Sequence, residues 1–244
     1  MIDEKLVLKK NPFGYIEDKK DKRDFLFGTG KLEDTIINES GNYDKFLPVF
    51  EPQSRLFDTM ACWVFGTLNC LETMHICKYG EEKNWSDREV SIGGGGTQNG
   101  GMPREAIEFA RTKGLIPEEM LPFSDSIRSW WQYHSPDPLP KKYLDEGLKW
   151  LQDYSVGYEY VKTNYGWVQK FKQLFGFNNQ EILKQALKRS PLGVSVYAWK
   201  FRNGIAYKNT WDRDNHWIML YGYEDGKYWK LYDHYDNTFI GAEW

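Results

Sequence analysis

The sequence has no long apolar run, and this excludes a membrane-spanning helix. Of its 244 residues, 41% are hydrophobic, but no stretch approaches the roughly 20 apolar residues that cross a bilayer. The mean hydropathy is -0.69. The first residues also lack the apolar segment of a secretory signal. We therefore expect a soluble chain that is not obviously exported and has no membrane partner.

Positive charge and paired cysteines are also scarce. The chain has 32 Lys and Arg against 35 Asp and Glu, for a formal net charge of -3, whereas nucleic acid requires a concentrated positive field. Cys70 and Cys77 would lie about 10 Å apart on a helix, beyond the reach of a disulfide. The composition therefore argues against a nucleic-acid partner and indicates a reducing compartment.

Helical patterns precede strand patterns along the chain. From Cys62 to about Lys78, apolar residues cover most of the circumference of a predicted helix, which indicates a buried central helix. Its expected N-cap is Asp58 or Thr59. The polar residues 1–50 predict an extended arm with turns, and the glycine-rich residues 92–101 predict a loop. Two more helices are predicted at 103–114 and 178–191. Three strands are predicted at 192–199, 216–224 and 227–235.

Cys62 stands at the start of the predicted central helix, within "TMACWVF" (59–65). One interpretation is a buried structural thiol, because free cysteine is among the most buried residue types. The other is a nucleophile, because N–H groups at a helix start lower a thiol's pKa.

A nucleophilic thiol needs a base and a group that orients the base. His216 opens a predicted strand, and Asp233 lies 17 positions later on the strand that follows the turn. Antiparallel strands can place two such side chains together. Taken singly, His216 fits a core histidine and Asp233 a turn residue. The other histidines lack metal-ligand spacing with cysteine, so neither a metal nor a cofactor is expected.

Four segments, in order, resemble the papain-like cysteine peptidases of bacterial and phage type. They are "GYIEDKKDKRDFLF" (14–27), "PVFEPQSRLFDTMACWVFGTLNCLE" (48–72), "TQNGGMPREAIEFARTKGLIPEEMLPF" (97–123) and "NHWIMLYGYEDGKYWKLYDHY" (215–235). The resemblance implies an α+β fold of two lobes with a cleft between them. Residues 1–47 would form an N-terminal arm, 48–140 a mainly helical lobe whose central helix starts at the nucleophile, and 141–244 a lobe like an antiparallel β-barrel.

The same resemblance implies a role for each member of an active site. Cys62 matches the nucleophile, His216 the general base and acid, and Asp233 the residue that orients His216, where the family usually has Asn. Asn237 is a less favoured substitute, because it lies past the strand. Gln53, with the Cys62 backbone N–H, would donate to the oxyanion. The implied substrate-binding residues are Asn99, Gly100, Gly101, Met102, Pro103 and Trp217.

Three departures from the family pattern bear on this site. Gln53 stands nine positions before Cys62 instead of the usual six, so either its loop bulges or its role is lost. Tyr235 takes the place of a shielding Trp. Trp217 takes the place of a small residue beside the main pocket, which it would narrow or reshape.

The resemblance implies a thiol endopeptidase that hydrolyses an extended polypeptide through a Cys62 acyl-enzyme. Two alternatives stay open: a catalytically weak binding or structural module, for example phage-associated, and a Cys-His amidase acting on cell-wall peptides. The cysteines of the family disulfides are missing, which favours the bacterial cytoplasm or a phage virion. The arm is expected to pack along the second lobe, and the alternative is that it lies in the cleft.

Overall fold

The computed structural model describes residues 14–19, 21, 24–27, 35–161, 179–198, 200–202, 205–207, 213–235 and 240–242. The described helices precede the strands, and a short 3-10 turn covers Glu118–Met120. The helices are α1 (Cys62–Tyr79), α2 (Asp87–Gly93), α3 (Pro103–Lys113), α4 (Trp130–Tyr133), α5 (Lys141–Asp153) and α6 (Asn179–Leu187).

A six-stranded sheet follows the helices in the described chain. Its strands are β1 (Leu192–Val196), β2 (Lys200–Arg202), β3 (Ile205–Tyr207), β4 (His216–Glu224), β5 (Tyr228–Tyr232) and β6 (Ile240–Ala242). Their spatial order is β1-β4-β5-β6-β3-β2. Neighbours are antiparallel except β3 and β6, which run parallel. The predicted α+β class, with helices first and sheet second, is confirmed.

The start of α1 differs from the sequence-based expectation. Its N-cap is Ala61, which makes no side-chain cap, so the expectation of Asp58 or Thr59 was wrong. The chain turns sharply before the helix at Met60, whose φ of 59° is left-handed. The Met60 N–H donates to Asp58 Oδ1 at 2.8 Å. Asp58 therefore stabilises the turn that leads to the helix, not the helix itself.

Several short elements were not predicted. Helix α2 is only seven residues long and begins at the cap Ser86, whose hydroxyl accepts from the Glu89 N–H. Helix α5 is longer, with 13 residues, and was not predicted either. Strands β2, β3 and β6 have three residues each, which is too short for a period of two to be recognised.

The helical and sheet parts meet where α1 packs on β4. Gly66, one turn after Cys62, makes this close approach possible, because a Cβ there would lie 2.7 Å from Trp217 Cδ1 and 3.1 Å from Ile218 Cα. Trp63 and Ile218 are fully buried on the two sides. The packing of α1 against β4 brings the start of the helix to the start of the strand, and thus Cys62 towards His216.

Buried carboxyl groups lie on α1 and α2. Glu72 Oε1 accepts from the Trp85 N–H and Glu89 Oε2 from the Ile116 N–H, each at 3.0 Å. Burial raises the pKa of Glu72 and of Glu89 to about 8. Both groups are therefore neutral in the folded protein at mildly acidic pH, and their ionisation opposes folding.

The stability of the protein should consequently fall as the pH rises towards 8. The pKa of Glu72 in the folded protein, about 8, lies above its ordinary value of 4.5. The raised pKa therefore stabilises the fold fully below pH 4.5, and this stabilisation is lost as the pH rises to 8. Between its ordinary pKa and its pKa in the folded protein, each such group lowers the free energy of unfolding by about 1.4 kcal/mol per pH unit.

We expect Glu72→Gln, which keeps an acceptor for the Trp85 N–H, to match the wild type near pH 4 and to be more stable at pH 8. Urea unfolding at several pH values measures this, with Glu119→Gln at an exposed position as the control. Equal pH dependence in all three proteins would contradict the prediction.

Candidate active site

Cys62 is the first residue of α1, and its side chain is 0% exposed. Burial raises the pKa of its thiol well above the usual value, while the backbone N–H groups of Trp217 and Trp63 act to lower it. In this conformation Cys62 is therefore a neutral thiol. The hydrogen bond from the Trp217 N–H brings the sulfur to the start of β4, one residue after His216.

His216 and Asp233 lie together where β4 begins and β5 has just ended. His216 Nε2 is 2.8 Å from Asp233 Oδ1, and the two residues are 0% and 2% exposed. The same Oδ1 accepts from the backbone N–H groups of His234 and Tyr235. A carboxylate only accepts hydrogen bonds, so Nε2 carries the proton and Nδ1 is left as the basic atom of the neutral ring.

Gln53 lies on a loop that bulges away from the chain. Ser54 and Asp58 form an isolated antiparallel bridge, and the Thr59 N–H donates to the Gln53 carbonyl at 3.4 Å. The bridge closes the base of the loop, so the extra residues before Cys62 project outwards. Gln53 itself is 0% exposed. Its Nε2 donates to Tyr235 Oη at 2.7 Å and to Asp58 Oδ1 at 3.1 Å.

The glycine-rich loop ends in a tight turn that leads to α3. Thr97 and Gly100 bond to each other through both backbone N–H groups, at 3.1 and 2.9 Å. Asn99 is exposed on this turn, Met102 is half-buried as the N-cap of α3, and Pro103 is buried in its first turn. We use "cleft" for the surface lined by Cys62, Gly100, Gly101 and Trp217.

The described N-terminal residues 14–16 lie in this cleft. The Gly101 N–H donates to the Gly14 carbonyl and the Ile16 N–H donates to the Gly101 carbonyl, both at 3.0 Å, so the two segments run parallel. Gly100 has a φ of +98°, and a Cβ on it would lie 1.7 Å from the Gly14 oxygen. Glycine is therefore required where the arm and the loop approach each other.

Trp217 and Tyr15 fill the side of the cleft formed by the sheet. Their rings stack with centroids 5.8 Å apart and an interplanar angle of 8°. Behind the indole, Gly193 on β1 leaves the necessary space, because a Cβ there would lie 2.3 Å from Trp217 Cζ2. The Tyr15 hydroxyl bonds to Ser195, whose Oγ donates to Asp214 Oδ2 at 2.8 Å. In this structure the chain's own tyrosine thus lies against Trp217.

Later residues of the arm pack along the sheet part. The Ile37 N–H donates to the Lys188 carbonyl and the Tyr43 N–H to the Tyr221 carbonyl, both at 2.9 Å. The arm therefore takes both expected courses, one in the cleft and one along the sheet. No sequence pattern singled out Tyr15, since its contacts are with residues distant in sequence.

The remaining histidines have structural surroundings. His234 is 1% exposed and its Nδ1 lies 2.9 Å from Asn69 Nδ2 on α1. Burial lowers the pKa of His234 to about 3, so the ring is neutral and accepts from Asn69. His134 bonds to Ser91 at 2.9 Å, and His75 packs against aromatic rings. Asn237 lies outside the described residues.

The residues that the structure describes contain neither a membrane-spanning helix nor a metal-binding group. None of the helices in that part of the chain has the length and apolarity to cross a membrane. Nor do the His, Cys, Asp and Glu residues placed by the structure form a group that could hold a metal ion.

Several solved structures share the fold of this chain. Xylellain, a cysteine protease from Xylella fastidiosa, is 18% identical with a TM-score of 0.61 and covers 96% of this chain and 90% of its own. Procathepsin L 3 from the larval midgut of Tenebrio molitor is 13% identical with a TM-score of 0.55, covering 90% and 67%. Bromelain from Ananas comosus, in complex with the E64 inhibitor, is 17% identical with a TM-score of 0.52, covering 82% and 87%.

Sequence comparison agrees with the fold. A search of curated proteins found no match, but the family model described as "Papain family cysteine protease" matches residues 58–239, most of the chain. This match supports a thiol endopeptidase and does not favour the inert module or the cell-wall amidase. The chain belongs to the papain family of cysteine proteases.

Proposed function

We propose that this peptidase cleaves extended polypeptides with Cys62 as nucleophile, His216 as general base and acid, and Asp233 as the group that orients His216. The observation that carries the assignment is the 2.8 Å bond between His216 Nε2 and Asp233 Oδ1. It fixes the imidazole at the start of β4, where the Trp217 N–H also holds the Cys62 sulfur. The three groups required for thiol catalysis therefore belong to one buried neighbourhood.

In the proposed reaction, His216 Nδ1 takes the proton of Cys62, and the thiolate attacks the peptide carbonyl carbon. The oxyanion that forms is stabilised by the backbone N–H of Cys62 and by Gln53. Collapse breaks the C–N bond, and the imidazolium gives its proton to the leaving amine. Water, deprotonated by His216, then hydrolyses the thioester and regenerates the thiol.

The positive charge that His216 acquires is stabilised by Asp233. A carboxylate at 2.8 Å favours the imidazolium more than the neutral amide of an Asn would. The replacement of Asn by Asp at this position is therefore compatible with a thiolate–imidazolium pair.

The residues in contact with the arm support a binding mode for the substrate. Gly101 already pairs through its N–H and its carbonyl with an extended backbone, and Trp217 stacks on an aromatic ring. A substrate would use the same two backbone groups and place an apolar or aromatic side chain against Trp217, Met102 and Pro103. Asn99 lies at the exposed edge of the same turn.

The proposed setting is the bacterial cytoplasm or a phage virion. All three cysteines are free thiols, which suits a reducing compartment. A solved structure of the same fold, over nearly the whole chain, comes from a bacterium.

A peptidyl epoxide that alkylates active thiols should label this protein at Cys62. The structure of bromelain is a complex with the E64 inhibitor. Peptide mapping by mass spectrometry would locate the label, with Cys70 and Cys77 of α1 as internal controls. We expect His216→Ala to slow labelling by at least about a hundredfold, since it removes the base. Equal labelling of the three cysteines, or no effect of His216→Ala, would reject the assignment.

A further inference from the structure

Asp58 lies at the centre of a hydrogen-bond network that joins the Gln53 loop to the residues after β5. Its Oδ1 accepts from Gln53 Nε2 at 3.1 Å and from the Met60 N–H at 2.8 Å. Its Oδ2 accepts from the Tyr235 hydroxyl at 2.5 Å. One carboxylate therefore contacts the implied oxyanion donor, the left-handed residue before α1 and a side chain from the sheet part.

The Asp58 carboxylate sets the direction of the hydrogen bond between Tyr235 and Gln53. A hydroxyl has one proton and can accept through its lone pairs. Because the Tyr235 proton is given to Asp58 Oδ2, the Tyr235 oxygen faces Gln53 as an acceptor, and Gln53 Nε2 donates to it at 2.7 Å. The Gln53 amide is thus oriented with its nitrogen towards Tyr235.

Tyr235 connects this network to the reacting groups. Its ring centroid is 5.3 Å from that of His216, and it packs in the same apolar cluster as Cys62. Asp58 also acts electrostatically on both Cys62 and His216. The amide that Asp58 and Tyr235 orient is therefore next to the catalytic neighbourhood.

The two bonds made by Gln53 Nε2 are unequal. An amide nitrogen has two protons, and here one goes to Tyr235 at 2.7 Å and the other to Asp58 at 3.1 Å. The longer bond also shares its acceptor, because Asp58 Oδ1 accepts from the Met60 N–H as well. If the N–H that bonds to Asp58 donates to the developing oxyanion instead, the shorter bond to Tyr235 still holds the amide in place.

We propose that Asp58 is a positioning residue for the oxyanion site: with Tyr235 it holds the Gln53 amide so that one N–H can be transferred to the oxyanion. The inference rests on the proposed function and deepens it. It explains how a Gln that stands nine positions before Cys62 can still serve, because the network fixes the side chain at the closed base of the loop.

The test compares a reaction that forms an oxyanion with one that does not. Hydrolysis of a fluorogenic peptide amide and binding of a peptide aldehyde both create a tetrahedral oxygen at Cys62, whereas alkylation by iodoacetamide does not. We expect Asp58→Ala to lower kcat about ten- to a hundredfold with little change in KM. Aldehyde affinity should fall in parallel, while alkylation of Cys62 should not slow, because the variant removes a negative charge that raises the pKa of the thiol.

Further variants separate positioning from a merely structural role. Asp58→Asn keeps the size of the side chain but presents an N–H group where Tyr235 needs an acceptor, so it should be as defective as Asp58→Ala. Tyr235→Phe should lose as much activity as Asp58→Ala. The double variant Asp58→Ala/Tyr235→Phe should be no less active than either single variant. Asp125→Ala is the matched control, since this exposed carboxylate bonds to Arg55 of the same loop at 2.8 Å and should leave all rates unchanged.

The possible failures are distinguishable. Full activity of Asp58→Asn, or an equal loss of hydrolysis and alkylation in Asp58→Ala, would overturn the positioning role alone. A wild-type chain that neither cleaves the peptide nor binds the aldehyde would overturn the proposed function, and this inference with it.

Discussion

Replacing Cys62 by alanine should abolish peptide hydrolysis, lowering kcat by at least about four orders of magnitude. Without the sulfur no acyl-enzyme can form, and no other cysteine lies at the start of α1. The fold should survive, because the change removes one atom from a side chain that is already small. Hydrolysis of a fluorogenic peptide measures the loss, and thermal unfolding followed by circular dichroism checks the fold.

Cys70→Ala provides a matched control for this variant. Cys70 lies on the same helix, eight residues further along, and is also a free thiol. We expect its removal to leave hydrolysis within about twofold of the wild type, because a thiol away from the site takes no part in catalysis. Retention of activity in Cys62→Ala, or its loss in both variants, would show that Cys62 is not the nucleophile.

Release of the arm from the cleft should increase activity. The variant Tyr15→Ala/Ile16→Pro removes the ring stacked on Trp217 and the N–H that donates to the Gly101 carbonyl. Loss of an aromatic pair and a hydrogen bond, at about 1 kcal/mol each, corresponds to roughly a thirtyfold shift towards the open cleft. We expect hydrolysis and iodoacetamide alkylation of Cys62 to become about thirtyfold faster.

The single variant Ile16→Ala separates the backbone bond from the side chain. It keeps the N–H that Ile16→Pro removes, so it should be less active than Ile16→Pro. Unchanged rates in Tyr15→Ala/Ile16→Pro would mean that residues 14–16 do not limit access to Cys62.

The features that sequence predicts best here are local ones. The start of α1 at Cys62, the helix Pro103–Lys113 and the strand that begins at His216 follow from hydrophobic period and from the Pro and Gly at the helix ends. The meeting of His216 and Asp233 follows from one hairpin, since only 17 residues separate them. The roles of these residues stay predictions.

The features that sequence does not reveal depend on distant contacts. Tyr235 and Asp58 are 177 positions apart, and no pattern in either segment indicates their bond. The sequence predicted Asp58 or Thr59 as the cap of α1, because Asp and Thr are common N-caps. The tertiary bond to Tyr235 and the turn at Met60 outweighed that preference. Likewise, nothing in residues 14–16 indicates that they pair with Gly101.

Two hydrogen bonds between the helical and sheet parts end on the same residue, His234. Its carbonyl accepts from the Gln53 N–H at 3.0 Å, and its ring bonds to Asn69 at 2.9 Å. Because His234 directly follows Asp233 in the chain, both bonds fasten the helical part to the sheet part beside the catalytic residues. A movement that keeps these two bonds is smallest there and grows with distance from His234, so the relative position of the reacting groups is the geometry that such a movement disturbs least.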